Sequence, residues 1–147
     1  MKNFQGKPNL LEVKMIYGIG VDLVDIRRME RVIKRWGKRF INRIFTPLEK
    51  EASYKRARPH AAFAMRFAAK EAFSKALGLG MKGGVKWREI EVYNDPRGKP
   101  GIRATGTTLS ICKEKGIDGI HLSLSDEAQN AIAMVVLECG HEIGKRF

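Results

Sequence analysis

The chain has 147 residues with 28 Lys and Arg against 16 Asp and Glu, a formal charge of +12. That length suits one domain, and 44% hydrophobic residues exclude a disordered chain. The charge surplus points to a polyanionic partner: nucleic acid, an acidic protein, a membrane surface or a phosphorylated small molecule. Two cysteines without a CxxC or a Cys/His cluster argue against zinc. With no signal peptide and no run of 18 apolar residues, the expected setting is the reducing cytoplasm, with no membrane span.

Residues 1–14 read as a peripheral N-terminal extension, and residues 15–147 as a single domain. Residues 15–24 (MIYGIGVDLV) read as a strand. Asp25 then caps a helix over about residues 26–37. At helical spacing Met29, Val32, Ile33, Trp36 and Phe40 share one side, and Arg28, Arg31, Arg35 and Arg39 the other. Thr46-Pro47 with Glu49 is a capping box that opens a second helix. Pro59 ends it or begins the next. Residues 60–77 form the longest helix, rich in alanine, stopped by Gly78 and followed by a loop over 78–84. Residues 85–93, the turn NDPRGKPG at 94–101 and the strand that follows read as a hairpin. A short helix over 107–116 leads to a closing hairpin, 121–126 with 131–138. The order β-α-α-α-β-β-α-β-β predicts an α+β fold, with an antiparallel sheet packed against helices.

The glycines of Gly18-Ile-Gly20 do not make a dinucleotide fingerprint. Leu23 stands where the third glycine belongs, and the helix begins only after Asp25. There is no Gly-Lys-Ser/Thr P-loop. The carboxylates are more informative. Asp22 sits in an apolar strand and Glu71 in an Ala/Phe-rich helix, and each is costly to bury alone. Either could cap a backbone group or pair with an arginine; together they could hold a hard divalent cation. Lys75 lies one turn after Glu71, either as its i,i+4 ion pair or as a cation aimed at a phosphate. His121 opens a strand and shares a face with Ser123 and Ser125, with no G-x-S-x-G elbow for serine hydrolysis.

The strand IYGIGVDLVDI, the helix RFAAKEAFSKALG (66–78), the turn RGKP (97–100) and HLSLSDE (121–127) occur in this order. The set resembles the holo-acyl-carrier-protein synthase family, the short type of 4′-phosphopantetheinyl transferase, over residues 15–138. The 14-residue extension lies outside the family pattern, and Asp126 stands where some relatives have His. The resemblance implies the transferase fold and a reaction that supports fatty acid biosynthesis. Coenzyme A gives its 4′-phosphopantetheine to a serine of apo acyl carrier protein, with Mg²⁺, and adenosine 3′,5′-bisphosphate leaves. By resemblance Asp22 and Glu71 are metal ligands, and Lys75 contacts the phosphates of coenzyme A. Arg66, Ser74, Gly78, Lys99, Pro100, His121 and Ser123 match positions lining the nucleotide site. Arg28, Arg35 and Arg39 match the element that grips the carrier. Short members are homotrimers with active sites between subunits. Either Glu71 or a water on the metal takes the serine proton. A nucleic-acid-binding domain would account for the charge, but not for Asp22 and Glu71 in apolar elements; the RNP and GXXG patterns are also missing.

Overall fold

The computed structural model describes residues 12–142. Strand β1 (Glu12–Asp25) leads into α1 (Ile26–Trp36), α2 (Lys38–Ile44), α3 (Pro47–Tyr54) and the long α4 (Pro59–Leu77). Then come β2 (Ile90–Asn94), β3 (Pro100–Ala104), α5 (Gly106–Glu114), β4 (Ile117–Glu127) and β5 (Asn130–Glu142). A three-stranded antiparallel sheet has the order β1-β5-β4, and β2 pairs with β3 in a separate ribbon. This is the α+β architecture that the sequence predicts. The first 11 residues of the extension lie outside the described residues, while Glu12 to Lys14 pair with β5 as the start of β1.

Three local differences have clear causes. The first helix breaks at Gly37, whose positive φ of 53° closes α1, so Phe40 belongs to α2. Trp36 lies at the end of α1, 49% exposed, where the stripe places it on the apolar side; the guanidinium of Arg35 covers its ring at 5.1 Å. The strand expected from residue 85 starts at Ile90, because Trp87–Glu89 form a 3-10 turn first. The caps are as read: Asp25 accepts from the amides of Arg27 and Arg28, and Thr46 and Glu49 bond reciprocally.

Helix α4 lies across β1 and β5 and carries the core. Ala68, Ala69, Ala72, Phe73 and Ala76 pack with Val135 and Leu137 of β5. The small side chains of α4 meet bare backbone on β1. A Cβ on Gly20 would lie 1.8 Å from the carbonyl oxygen of Ala72, and one on Gly18 2.0 Å from that of Ala76. The glycines therefore let helix and strand touch backbone to backbone. Gly20→Ala is expected to destabilise the chain by about 3 kcal/mol, the range of core overpacking, and to displace Asp22, two residues on. Urea unfolding with a parallel transfer assay checks this; a wild-type midpoint would refute the close contact.

The pleat divides the sheet's two faces. Gly20, Asp22 and Val24 sit opposite Val135, Ala133 and Ala131, which are buried in β5 against the helices. The other face has rows Leu23–Ile132–Ser125, Val21–Met134–Ser123 and Ile19–Val136–His121. Leu23 is 62% exposed, Ile19 57% and Val21 46%. An apolar sheet face of this size needs a cover.

Candidate active site

The β1–α4 contact brings Asp22 and Glu71 to one cleft of about 630 Å³. Asp22 comes from the helix-facing side of β1, two residues beyond Gly20. Glu71 comes from the flank of α4, beside the alanine face. Met29, Val32, Phe40 and Phe67 form apolar walls, and Asp25, Arg28 and Asn130 add polar groups. Burial and the negative charge of Asp22 hold the Glu71 carboxyl above its usual range, against the opposing pull of Lys75. Lys75 does not pair with Glu71. Its Nζ donates to Asp22 Oδ1 at 3.0 Å and to the Val21 carbonyl at 3.0 Å.

Three carboxylates line the cleft, those of Asp22, Asp25 and Glu71, against the Arg28 guanidinium and the Lys75 ammonium on Asp22, so the site is short of positive charge. The donor set suits Mg²⁺, which takes one or two carboxylates and fills its octahedron with water and phosphate oxygens. Among the described residues no group of three or more His, Cys, Asp or Glu side chains could hold a metal unaided. Asp25, three residues after Asp22, serves the backbone instead. Partial desolvation raises its pKa, and this is outweighed by hydrogen bonds from the amides of Arg27 and Arg28 and by the charges of Arg27 and Arg31.

The other residues singled out in the sequence fall into separate places. Lys99, Pro100 and His121 line a second cleft of about 330 Å³ with Tyr93, Asp95 and Gly101. His121 Nε2 lies 3.0 Å from Glu138 Oε1. His121 and Ser123 are on the sheet face opposite Asp22, so one chain cannot turn all of them to one ligand. Ser74 is buried and its hydroxyl donates to the Glu71 carbonyl at 2.7 Å. Arg66 is buried; Nη1 donates to the Ala62 carbonyl and Nε has no partner among the described residues. Gly78 closes α4 at φ 81°. Arg28, Arg35 and Arg39 are exposed, Arg28 in the cleft of Asp22.

Beyond the Glu49 cap, the sequence pattern assigns nothing to Lys70 and Glu49. Both are fully buried and pair at 2.7 Å. Glu49 also accepts from the amides of Thr46 and Val92, and Lys70 donates to the Trp87 carbonyl. Burial lowers the Lys70 pKa, and Glu49 opposes that. A lysine adjoining Glu71 on a helix otherwise packed with alanine and phenylalanine is the one sequence signal that a buried partner exists.

Comparison of sequence and structure shows the family. The pattern of the 4′-phosphopantetheinyl transferase superfamily matches residues 18–134. A holo-[acyl-carrier-protein] synthase of Geotalea daltonii is 48% identical over 126 residues, covering 84% of this chain and 99% of that protein. The crystal structure of the Neisseria meningitidis synthase superposes with a TM-score of 0.79 at 41% identity, covering 84% of this chain and 98% of that one. The Helicobacter pylori synthase, solved in complex with coenzyme A, superposes with a TM-score of 0.73 at 31% identity, covering 81% of this chain and 98% of that one. The chain belongs to the 4′-phosphopantetheinyl transferase superfamily and, within it, to the holo-[acyl-carrier-protein] synthases.

Proposed function

We propose that the chain transfers 4′-phosphopantetheine from coenzyme A to the serine of apo acyl carrier protein at the Asp22–Glu71 cleft, with release of adenosine 3′,5′-bisphosphate. The observation that carries this is the pairing of two carboxylates in a basic protein of net charge +12. Asp22 and Glu71 would hold Mg²⁺. The metal, when bound, neutralises pyrophosphate charge, as phosphoryl-type transfer requires. The ammonium of Lys75 offsets charge on the departing phosphate. The nucleophile belongs to the carrier, which accounts for a cleft with acids and a lysine but no activated serine or cysteine. Arg28, Arg35 and Arg39 offer positive charge along α1 and at the start of α2 to an acidic carrier.

The active assembly is a homotrimer whose sites form between chains. Two features support this. The open sheet face carries Ile19, Val21, Leu23, Ile132 and Met134, all at least 41% exposed. The same face carries His121 and Ser123, which can meet a ligand at the Asp22 cleft only if they come from a neighbouring copy. In that assembly the cleft of Lys99, Pro100 and His121 receives the nucleotide end of coenzyme A, beside a neighbour's Asp22. Leu23→Asp is expected to disperse the trimer to single chains and to lower transfer by about a hundredfold or more. Light-scattering mass with a parallel assay checks this. A trimer that persists would move the interface elsewhere.

The reaction is tested by mass. Incubation with coenzyme A, Mg²⁺ and an apo carrier adds one phosphopantetheine to the carrier; no gain with any of several apo carriers overturns the reading. A fatty-acid carrier is the expected substrate, in the cytoplasm. Among the described residues no helix is long and apolar enough to cross a membrane.

A further inference from the structure

Lys75 already has a partner in the chain as it stands. Its ammonium bonds Asp22 Oδ1 and the Val21 carbonyl, each at 3.0 Å. The Lys75 side chain is 51% exposed and that of Asp22 17%. A flexible, half-exposed arm thus sits on a carboxylate that is itself fixed by β1. The Glu71 carboxylate makes no ion pair among the described residues. Lys75 therefore neutralises Asp22 and reaches Glu71 only through its field, while Asp25 has its own partner in Arg27.

We infer that Lys75 is a resident counter-ion of Asp22 that a divalent cation must displace, so that metal entry frees the ammonium for the substrate's phosphates. This rests on the metal reading of Asp22 and Glu71 proposed above. An ammonium and a divalent cation that share a carboxylate repel one another. The lysine arm can leave, since its stem is solvated and its four-carbon chain is flexible. The two carboxylates cannot leave, because β1 and α4 are locked at Gly18 and Gly20. On leaving, the ammonium gives up two hydrogen bonds and needs an anion. The phosphates of coenzyme A supply one. Metal thus binds weakly to the free chain and well together with a phosphate-bearing substrate. Lys75 acts twice, first as a placeholder for the metal and then as a partner of the phosphate.

Titration with Mn²⁺, followed by electron paramagnetic resonance without coenzyme A, tests this with a readout independent of turnover. Lys75→Met is expected to bind Mn²⁺ about tenfold more tightly than the wild type, the scale of a lost charged hydrogen bond. Lys75→Arg keeps the charge and stays within about twofold of the wild type. Arg28→Met removes a cation of the same cleft whose guanidinium pairs with no carboxylate among the described residues, and gains about twofold at most. Unchanged or weaker binding in Lys75→Met, equal tightening in Lys75→Arg, or an equal gain in Arg28→Met each overturn the displacement. Asp22→Asn separates the two levels. Loss of Mn²⁺ binding in that variant keeps the metal site even where Lys75 fails. Wild-type binding in it overturns the metal reading and the displacement together.

Discussion

Glu71→Gln is expected to lose transfer by about a thousandfold or more, yet to melt above the wild type at pH 7. The two effects share one cause. Burial and the charge of Asp22 raise the Glu71 pKa, so the folded chain binds that proton more tightly than the unfolded chain does. Stability from such a group is fully present below the unfolded pKa and is lost as pH rises through the folded one. At pH 7 the ionised carboxylate is therefore a net cost to folding, and the amide removes it. The gain in melting temperature should shrink as pH falls toward the ordinary carboxylate range, where both states hold the proton. Melting curves across that window, beside the transfer assay, measure both. A Glu71→Gln chain that stays active removes Glu71 from the proposed metal site. One that melts below the wild type at pH 7 makes Glu71 a structural acid. Asp22→Asn should lose transfer to the same extent, but without the stability gain, since the ion pair with Lys75 is lost.

Glu49→Ala should cost about 3–5 kcal/mol, the expected penalty for leaving a buried charge alone. For a domain of this size that corresponds to about 10 °C or more in melting temperature. The carboxylate of Glu49 accepts from Lys70, the Thr46 amide and the Val92 amide, so its loss strands three donors at once. Lys70, which also bonds the Trp87 carbonyl, would be the worst affected. These bonds join the start of α3, α4, the 3-10 turn and β2 at one point. The double change Glu49→Leu with Lys70→Met removes both charges and should recover more than half of the loss. Calorimetry of the two variants decides the matter: equal melting of the single and double variants would mean that the pair carries no mutual dependence. The pair also anchors the stretch of α4 that carries Glu71, since Lys70 precedes it directly in the helix. Glu49→Ala should therefore lower transfer even at temperatures where the chain stays folded.

Much of the fold was legible in the residues because it is local. Caps at Asp25 and Thr46, the alanine run of α4, the stop at Gly78 and the Asp95 turn each depend on chain neighbours alone. The break at Gly37 was missed because an isolated glycine inside a helical pattern does not force a break. The candidate site was legible as a pair of costly carboxylates, which the family resemblance reads as metal ligands. The Lys75 bond to Asp22 was not legible, since helical spacing favours Glu71 as its partner and only the β1–α4 contact supplies another.

The sequence by itself determined the α+β class, the helix ends and the pair of acids, because propensity, capping and burial cost act on residues one at a time or on near neighbours. Only the tertiary structure decided how those acids meet and what surrounds them. Two glycines let α4 touch β1, which sets Asp22 against Glu71 and puts Lys75 between the strand and the cleft. A buried Glu49–Lys70 pair fixes α4 from behind. The period-two pleat turns His121 and Ser123 to the opposite face from Asp22, and that side-chain alternation becomes a separation in space only once the strands are paired in register.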